Sequence, residues 1–123
     1  MFPLRIFLVF ATMLSGLFAL HAQPSADIRI APHDSVRVRI CISLAAQFAN
    51  NNLDSSLYYC DQATKYAERS GNKKGVADSQ YERAYAVFYS GKPDSALKMY
   101  TNLLKDYRSL GDSSKVASCY NKM

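Results

Sequence analysis

GVADSQYERAYAVFYSGKPDSALKMYTNLLKDYRSLGD, residues 75–112, is the stretch that decides the fold. After Gly75, the run Val76 to Tyr89 places apolar or aromatic side chains at 77, 81, 84, 85 and 88. That is the spacing of one face of an α-helix. Ser90-Gly91-Lys92-Pro93-Asp94 interrupts it. Gly91 can take the left-handed conformation that ends a helix, and Pro93 cannot continue one. Asp94 is suited to cap the next helix, because its carboxylate accepts from exposed backbone N–H groups. Ala96, Leu97, Tyr100, Leu103, Leu104 and Tyr107 form a second stripe, closed by Leu110-Gly111-Asp112-Ser113-Ser114. The segment predicts two helices folded back on each other. Strand patterns are absent, the alternation from Ile28 to Ile30 being too short to count.

The same plan lies upstream at an offset of forty. It runs from Val36 to Asn50, turns at Asn51-Asn52-Leu53, takes Asp54 as cap and continues to Arg69. Identities at this offset fall at Leu57/Leu97, Phe48/Phe88, Ala46/Ala86, Asp54/Asp94 and Ser55/Ser95. Lys65/Lys105, Gly71/Gly111, Val36/Val76, Val76/Val116 and Ala77/Ala117 complete the set. These ten pairs compare with about three from chance at ordinary residue frequencies. They fall at apolar positions and turns, without insertions. A fixed period in this range signals stacked helical units.

Two helices per unit, with small residues where they cross, resemble the tetratricopeptide repeat (TPR). That family sets a small residue in the middle of helix A, a Gly in the turn, an Ala early in helix B and an aromatic four residues later. In the second unit the matching positions are Ala84, Gly91, Ala96 and Tyr100, with Leu103 on the same face. The resemblance implies that Ala84 and Ala96 let the helix axes approach, while Tyr100 and Leu103 fill the groove toward a neighbour. The chain departs from the pattern at Gln80 and Arg83. In the first unit Leu44, Asn51, Ser56 and Cys60 stand at the small, Gly, Ala and aromatic positions. The period is forty rather than the usual 34, with extra residues assigned to longer helices and to an inter-unit turn at Ser70–Gly75. The resemblance extends to exported TPR regions of bacterial signalling proteins. The expected fold is therefore all-α, a TPR-like solenoid of helical hairpins over 34–123, about two and a fraction units. Its third unit opens at Val116 and stops at Met123. That leaves the front of a longer array, a truncated product, or a chain that self-associates through the incomplete repeat.

The other end carries an address. Arg5 precedes an apolar run from Ile6 to Leu20, broken only by Thr12, Ser15 and Gly16. This is the layout of a signal peptide, and the run is short for a helix that spans a bilayer. Cleavage after Ala22 divides the chain into a signal segment at 1–22, a linker at 23–33 and the repeats at 34–123. The expected location is periplasmic or secreted, with membrane anchoring as the alternative if the segment is retained.

Composition excludes more than it assigns. With 123 residues, 49% of them hydrophobic, there is room for one small domain and a core. A net charge of +5 is mild for a nucleic-acid binder, and the basic residues form no stripe set among the clustered tyrosines. Lys73-Lys74 with Arg69 reads as a solvated basic turn, and so do Arg29, Arg37 and Arg39. Cys41, Cys60 and Cys119 match no zinc spacing. By register Cys41 points to the groove and Cys60 to the core, so separate thiols are favoured over a bridge. Cys119 is expected to face the missing part of the array. His33 has no ligand-spaced neighbour apart from Asp34 and reads as a capping or solvent residue. No nucleophile elbow, metalloprotease motif, phosphate loop or paired carboxylates occur. No catalytic residue, metal or cofactor is expected.

The expected function is that of a non-enzymatic scaffold binding a protein or peptide. Helix A usually lines the concave face of a TPR array, so the groove candidates are Asp78, Tyr81, Tyr85 and Tyr89. Tyrosine offers a flat apolar face with a hydroxyl, which suits peptide capture. The competing reading packs the same rings between units. The alternative function is the N-terminal sensory segment of a membrane-bound histidine kinase or transcriptional regulator.

Overall fold

Helix ends, rather than helix interiors, set the rhythm of this fold. The computed structural model describes Ile28 and residues 33–123. The chain divides into two units, Met1–Ile30 and Ala31–Met123, and all the helices treated below belong to the second. The expected signal segment at 1–22 lies outside the described residues, as does the linker up to Pro32 apart from Ile28.

Five helices follow one another, α1 Asp34–Phe48, α2 Leu53–Arg69, α3 Lys73–Tyr89, α4 Pro93–Ser109 and α5 Ser113–Lys122. The described residues contain no strand. Gly71, Gly91 and Gly111 have φ of 68, 87 and 70° and stand twenty residues apart. At each, the glycine N–H donates to a carbonyl three residues back, at 3.1 Å to Glu68, Phe88 and Arg108. The following N–H donates five residues back, from Asn72 to Ala67 at 2.8 Å and from Asp112 to Tyr107 at 3.0 Å. This double closure satisfies carbonyls left open at a helix end, and it needs the positive φ that glycine adopts without strain. The first connection lacks glycine and runs over 49–52, one residue longer than the others. There the N–H groups of Asn51 and Asn52 both donate to Phe48.

The caps differ from those expected. Asn52, not Asp54, caps α2 by accepting from the Ser55 N–H at 3.0 Å. Asn72 caps α3 through the Gly75 N–H at 2.8 Å. Helix α3 therefore starts at Lys73, and the supposed turn at Ser70–Gly75 shrinks to Ser70-Gly71-Asn72. Gly75 is a buried helical residue whose missing Cβ makes room for the Asn72 carboxamide, 2.7 Å from where that Cβ would lie. Asp94 sits in the first turn of α4 behind Pro93, with Lys92 at the cap position. Pro93 needs no N–H partner there, and Asp94 faces the positive end of the helix. His33 precedes α1 without a side-chain capping bond and is exposed.

Each helix packs on the next, and α1 also touches α3. Ala84, Ala96, Tyr100 and Leu103 are buried together with Ala77, Leu104, Tyr107 and Cys119. Upstream, Ser56 stands at the position of Ala96, and its hydroxyl donates to the Ala45 carbonyl at 2.8 Å. Ser79 donates to the Val76 carbonyl and shares a 2.7 Å bond with Thr64. Both buried hydroxyls are thus satisfied, which removes most of the cost of placing them among alanines. The start of α1 is tied to the end of α2 by Arg69, whose Nε donates to Asp34 at 2.8 Å. This bond holds the Asp34 carboxyl down to about 2.

All three cysteines are free and fully buried. Cys41 does not line an open groove, because the face of α1 that carries it is closed. Cys119 does not face outward; it inserts among Ala77, Ala84 and Tyr100. Burial raises each thiol, Cys41 to about 11 and Cys60 to about 12. Lys73 and Lys74 lie in the first turn of α3 rather than in a loop, and Lys74 bonds Asp78. No described helix is long and apolar enough to cross a membrane.

Candidate functional site

Asp78, Tyr81, Tyr85 and Tyr89 follow a spacing of three and four along α3, so the helix aligns them on one stripe. Their surroundings divide them into two pairs. Asp78 accepts from the buried Tyr107 hydroxyl at 2.7 Å and from Lys74 Nζ at 2.7 Å, with Lys115 Nζ at 3.8 Å. Burial and this bond both raise Tyr107 above the usual phenol range. Tyr81 meets Tyr100 edge to face at a centroid distance of 5.5 Å, and Lys115 of α5 lies 4.5 Å from its ring centre. These two residues are engaged in holding α4 and α5.

The second pair is more open. The Tyr85 and Tyr89 rings meet edge to face at 4.8 Å, and the Tyr85 hydroxyl donates to that of Tyr89 at 3.2 Å. Lys122 Nζ lies 4.3 Å from the Tyr85 ring centre. Tyr89 is 50% exposed, and its neighbour Phe88 is 47% exposed. Phe88 and Tyr89 form an exposed aromatic patch, with Tyr85 beside it under Lys122 of α5. At the other end of the stripe, Asp78 borders a cavity of about 430 Å³ between α1 and α3. Val38, Arg39 and Ile42 line it from α1, and Asn72, Lys74 and Gly75 from the start of α3.

Of the residues assigned to packing, Ala84, Ala96, Tyr100 and Leu103 lie in the core and Gly91 forms the exposed turn between α3 and α4. Two features of the site escaped the sequence reading. Glu82 lies half-buried between the two pairs, raised chiefly by burial, with Lys115 and Lys122 pulling the other way. Its position four residues after Asp78 was a usable signal. The Tyr100 hydroxyl is buried without a hydrogen-bond partner among the described residues. That depends on the whole surrounding core and left no local trace. No group of three or more His, Cys, Asp or Glu side chains among the described residues is placed to hold a metal.

The class defined by this geometry is an all-α chain of consecutively packed helices carrying a tyrosine stripe on its third helix. No family model, no curated protein and no solved structure matches the chain.

Proposed function

We propose that this chain is an exported, non-enzymatic scaffold of tetratricopeptide type that holds an extended peptide segment of another protein. The observation that carries the reading is the stripe from Asp78 to Tyr89, one end at a cavity that Arg39 and Lys74 border and the other in an exposed aromatic patch. Tyr89 lies eleven residues beyond Asp78 along the helix, a reach of about 16 Å. A short peptide fits that length. Its carboxylates find Arg39 and Lys122, and its apolar side chains find Tyr85, Phe88 and Tyr89. The regular glycine turns and the alanines buried where α3 crosses α4 support the repeat reading.

The test is selection from a displayed random-peptide library on residues 23–123. The wild type is expected to enrich a family of apolar and acidic sequences. Tyr85→Ala and Tyr89→Ala should each weaken a selected peptide about tenfold, the loss typical of an interface anchor, with helicity retained on circular dichroism. Enrichment that survives both substitutions would remove the tyrosine patch from the binding surface. Export is tested separately, by fractionating cells that produce the chain with and without residues 1–22.

A further inference from the structure

We propose that the cavity between the start of α3 and the end of α4 is a seat for an arginine side chain brought by a second protein. It measures about 260 Å³ and is lined by Lys73, Val76 and Ala77 from α3 and by Asp106, Ser109 and Leu110 from the end of α4. It shares no residue with the tyrosine stripe or with the cavity between α1 and α3. The seat therefore does not rest on the peptide-binding reading.

The first hairpin shows what such a place holds when the chain fills it itself. At the offset of forty, Ala77, Asp106 and Ser109 correspond to Arg37, Tyr66 and Arg69, and Val76 to Val36. Arg37 reaches across from α1, its Cζ 5.5 Å from the centre of the Tyr66 ring, and Arg69 Cζ lies 5.2 Å from the same ring. The Asp34 carboxylate pairs with both guanidinium groups, at 2.9 and 2.5 Å. Positions 37 and 66 thus face each other across the hairpin, and 77 and 106 line one cavity for the same reason. In the second hairpin the long cation is replaced by alanine and the ring by a carboxylate. That Asp106 carboxylate makes no hydrogen bond or ion pair among the described residues, and neither does the ammonium group of the exposed Lys73. A guanidinium suits the place. Its aliphatic stem lies along Val76, Ala77 and Leu110, and its planar fork donates two bonds to Asp106. Lysine offers a compact, strongly hydrated charge that matches a carboxylate less well. Lys73 repels any cationic guest, but it is unbonded and can turn to water.

The test is a titration of the intact, isotope-labelled chain with N-acetyl-arginine methylamide, followed by amide chemical shifts. The blocked ends leave the guanidinium as the only charge of the probe. Saturable shifts are expected at Val76, Ala77, Ser109 and Leu110. None is expected at Asp54 and Asp94, exposed acids at the starts of α2 and α4. The uncharged citrulline analogue should leave the spectrum unmoved, and the lysine analogue should bind about threefold more weakly. Asp106→Asn should weaken arginine binding about tenfold, as a charge-assisted bond is lost. Lys73→Gln should tighten it about twofold as an exposed like charge is removed. Both side chains are exposed, so thermal unfolding should stay unchanged in each variant. Shifts that do not saturate, that follow every exposed carboxylate alike or that survive Asp106→Asn would overturn the proposal. So would equal binding of the citrulline or the lysine analogue. No readout involves Tyr85 or Tyr89, so failure here and failure of the peptide-binding reading are distinguishable.

Discussion

The stripe on α1 and the stripe on α3 occupy the same positions forty residues apart and are built from opposite materials. On α1 and its C-cap it reads Val38, Cys41, Ala45 and Ala49, none more than 3% exposed. On α3 it reads Asp78, Tyr81, Tyr85 and Tyr89, which range from partly buried to half exposed. Helix α1 has full-length neighbours in α2 and α3, and small side chains let helix axes come close. Helix α3 meets α5 on this stripe, through lysines laid over tyrosine rings. The contrast shows that register alone does not make a surface. The side chains that a neighbouring helix lays across it decide whether a stripe becomes core or stays available.

The largest effect should come from exchanging the materials. Ala45→Tyr forces a ring into a closed interface and should cost about 3 kcal/mol or more by overpacking. The reverse change at the matching position, Tyr85→Ala, should cost within about 1 kcal/mol, since it leaves no buried cavity. Urea unfolding of both variants measures the pair, and equal costs would erase the distinction between the stripes.

Two tyrosines on α4 sharpen the comparison further. Tyr107→Phe removes the bond to the Asp78 carboxylate and should cost about 2 kcal/mol. Tyr100→Phe deletes a hydroxyl with no partner among the described residues and should be neutral or stabilise by up to about 1 kcal/mol. Thermal unfolding of the two variants should therefore shift in opposite directions or leave Tyr100→Phe unmoved.

Acid and base should act at different ends of the molecule. The Asp34 carboxyl is held below its ordinary value, so its contribution is complete above pH 4 and is lost as pH falls toward about 2. Asp34→Asn should remove that acid-side loss from a stability–pH profile. Glu82 is displaced upward by burial, so it favours the fold at pH values below 4.5 and costs stability as pH rises through its raised value. Glu82→Gln should be more stable than the wild type at pH 7, with the difference closing below pH 4.5.

Much of the fold was legible locally. The α3–Gly91–α4 hairpin was readable because Gly91 and Pro93 act through their own backbones, whatever surrounds them. The caps were misread at Asp54 and Asp94 because each helix starts one residue earlier, at Leu53 and Pro93, which puts both aspartates inside the first turn. Asn52 and Asn72 sit one position before their helices, where their side-chain oxygens accept from the Ser55 and Gly75 N–H groups. The twenty-residue beat of the turns was hidden by the offset of forty, since alternate helices carry different residues. At the candidate site the alignment of the four residues was readable from helical spacing, but their division into engaged and open pairs was not. The latter depends on Tyr107, Lys115 and Lys122, which lie 29 or more residues from the side chains they touch.

By itself the sequence determined where helices start and stop, within a few residues, and which side chains share a face. Those properties follow from dihedral preferences and from 3.6 residues per turn, both local in the chain. Only the tertiary structure decided that three thiols are sealed in, that Asp78 is claimed by Tyr107 and Lys74, and that Tyr89 stays open. Burial is a property of neighbours, and no residue carries a record of the helix that will lie across it.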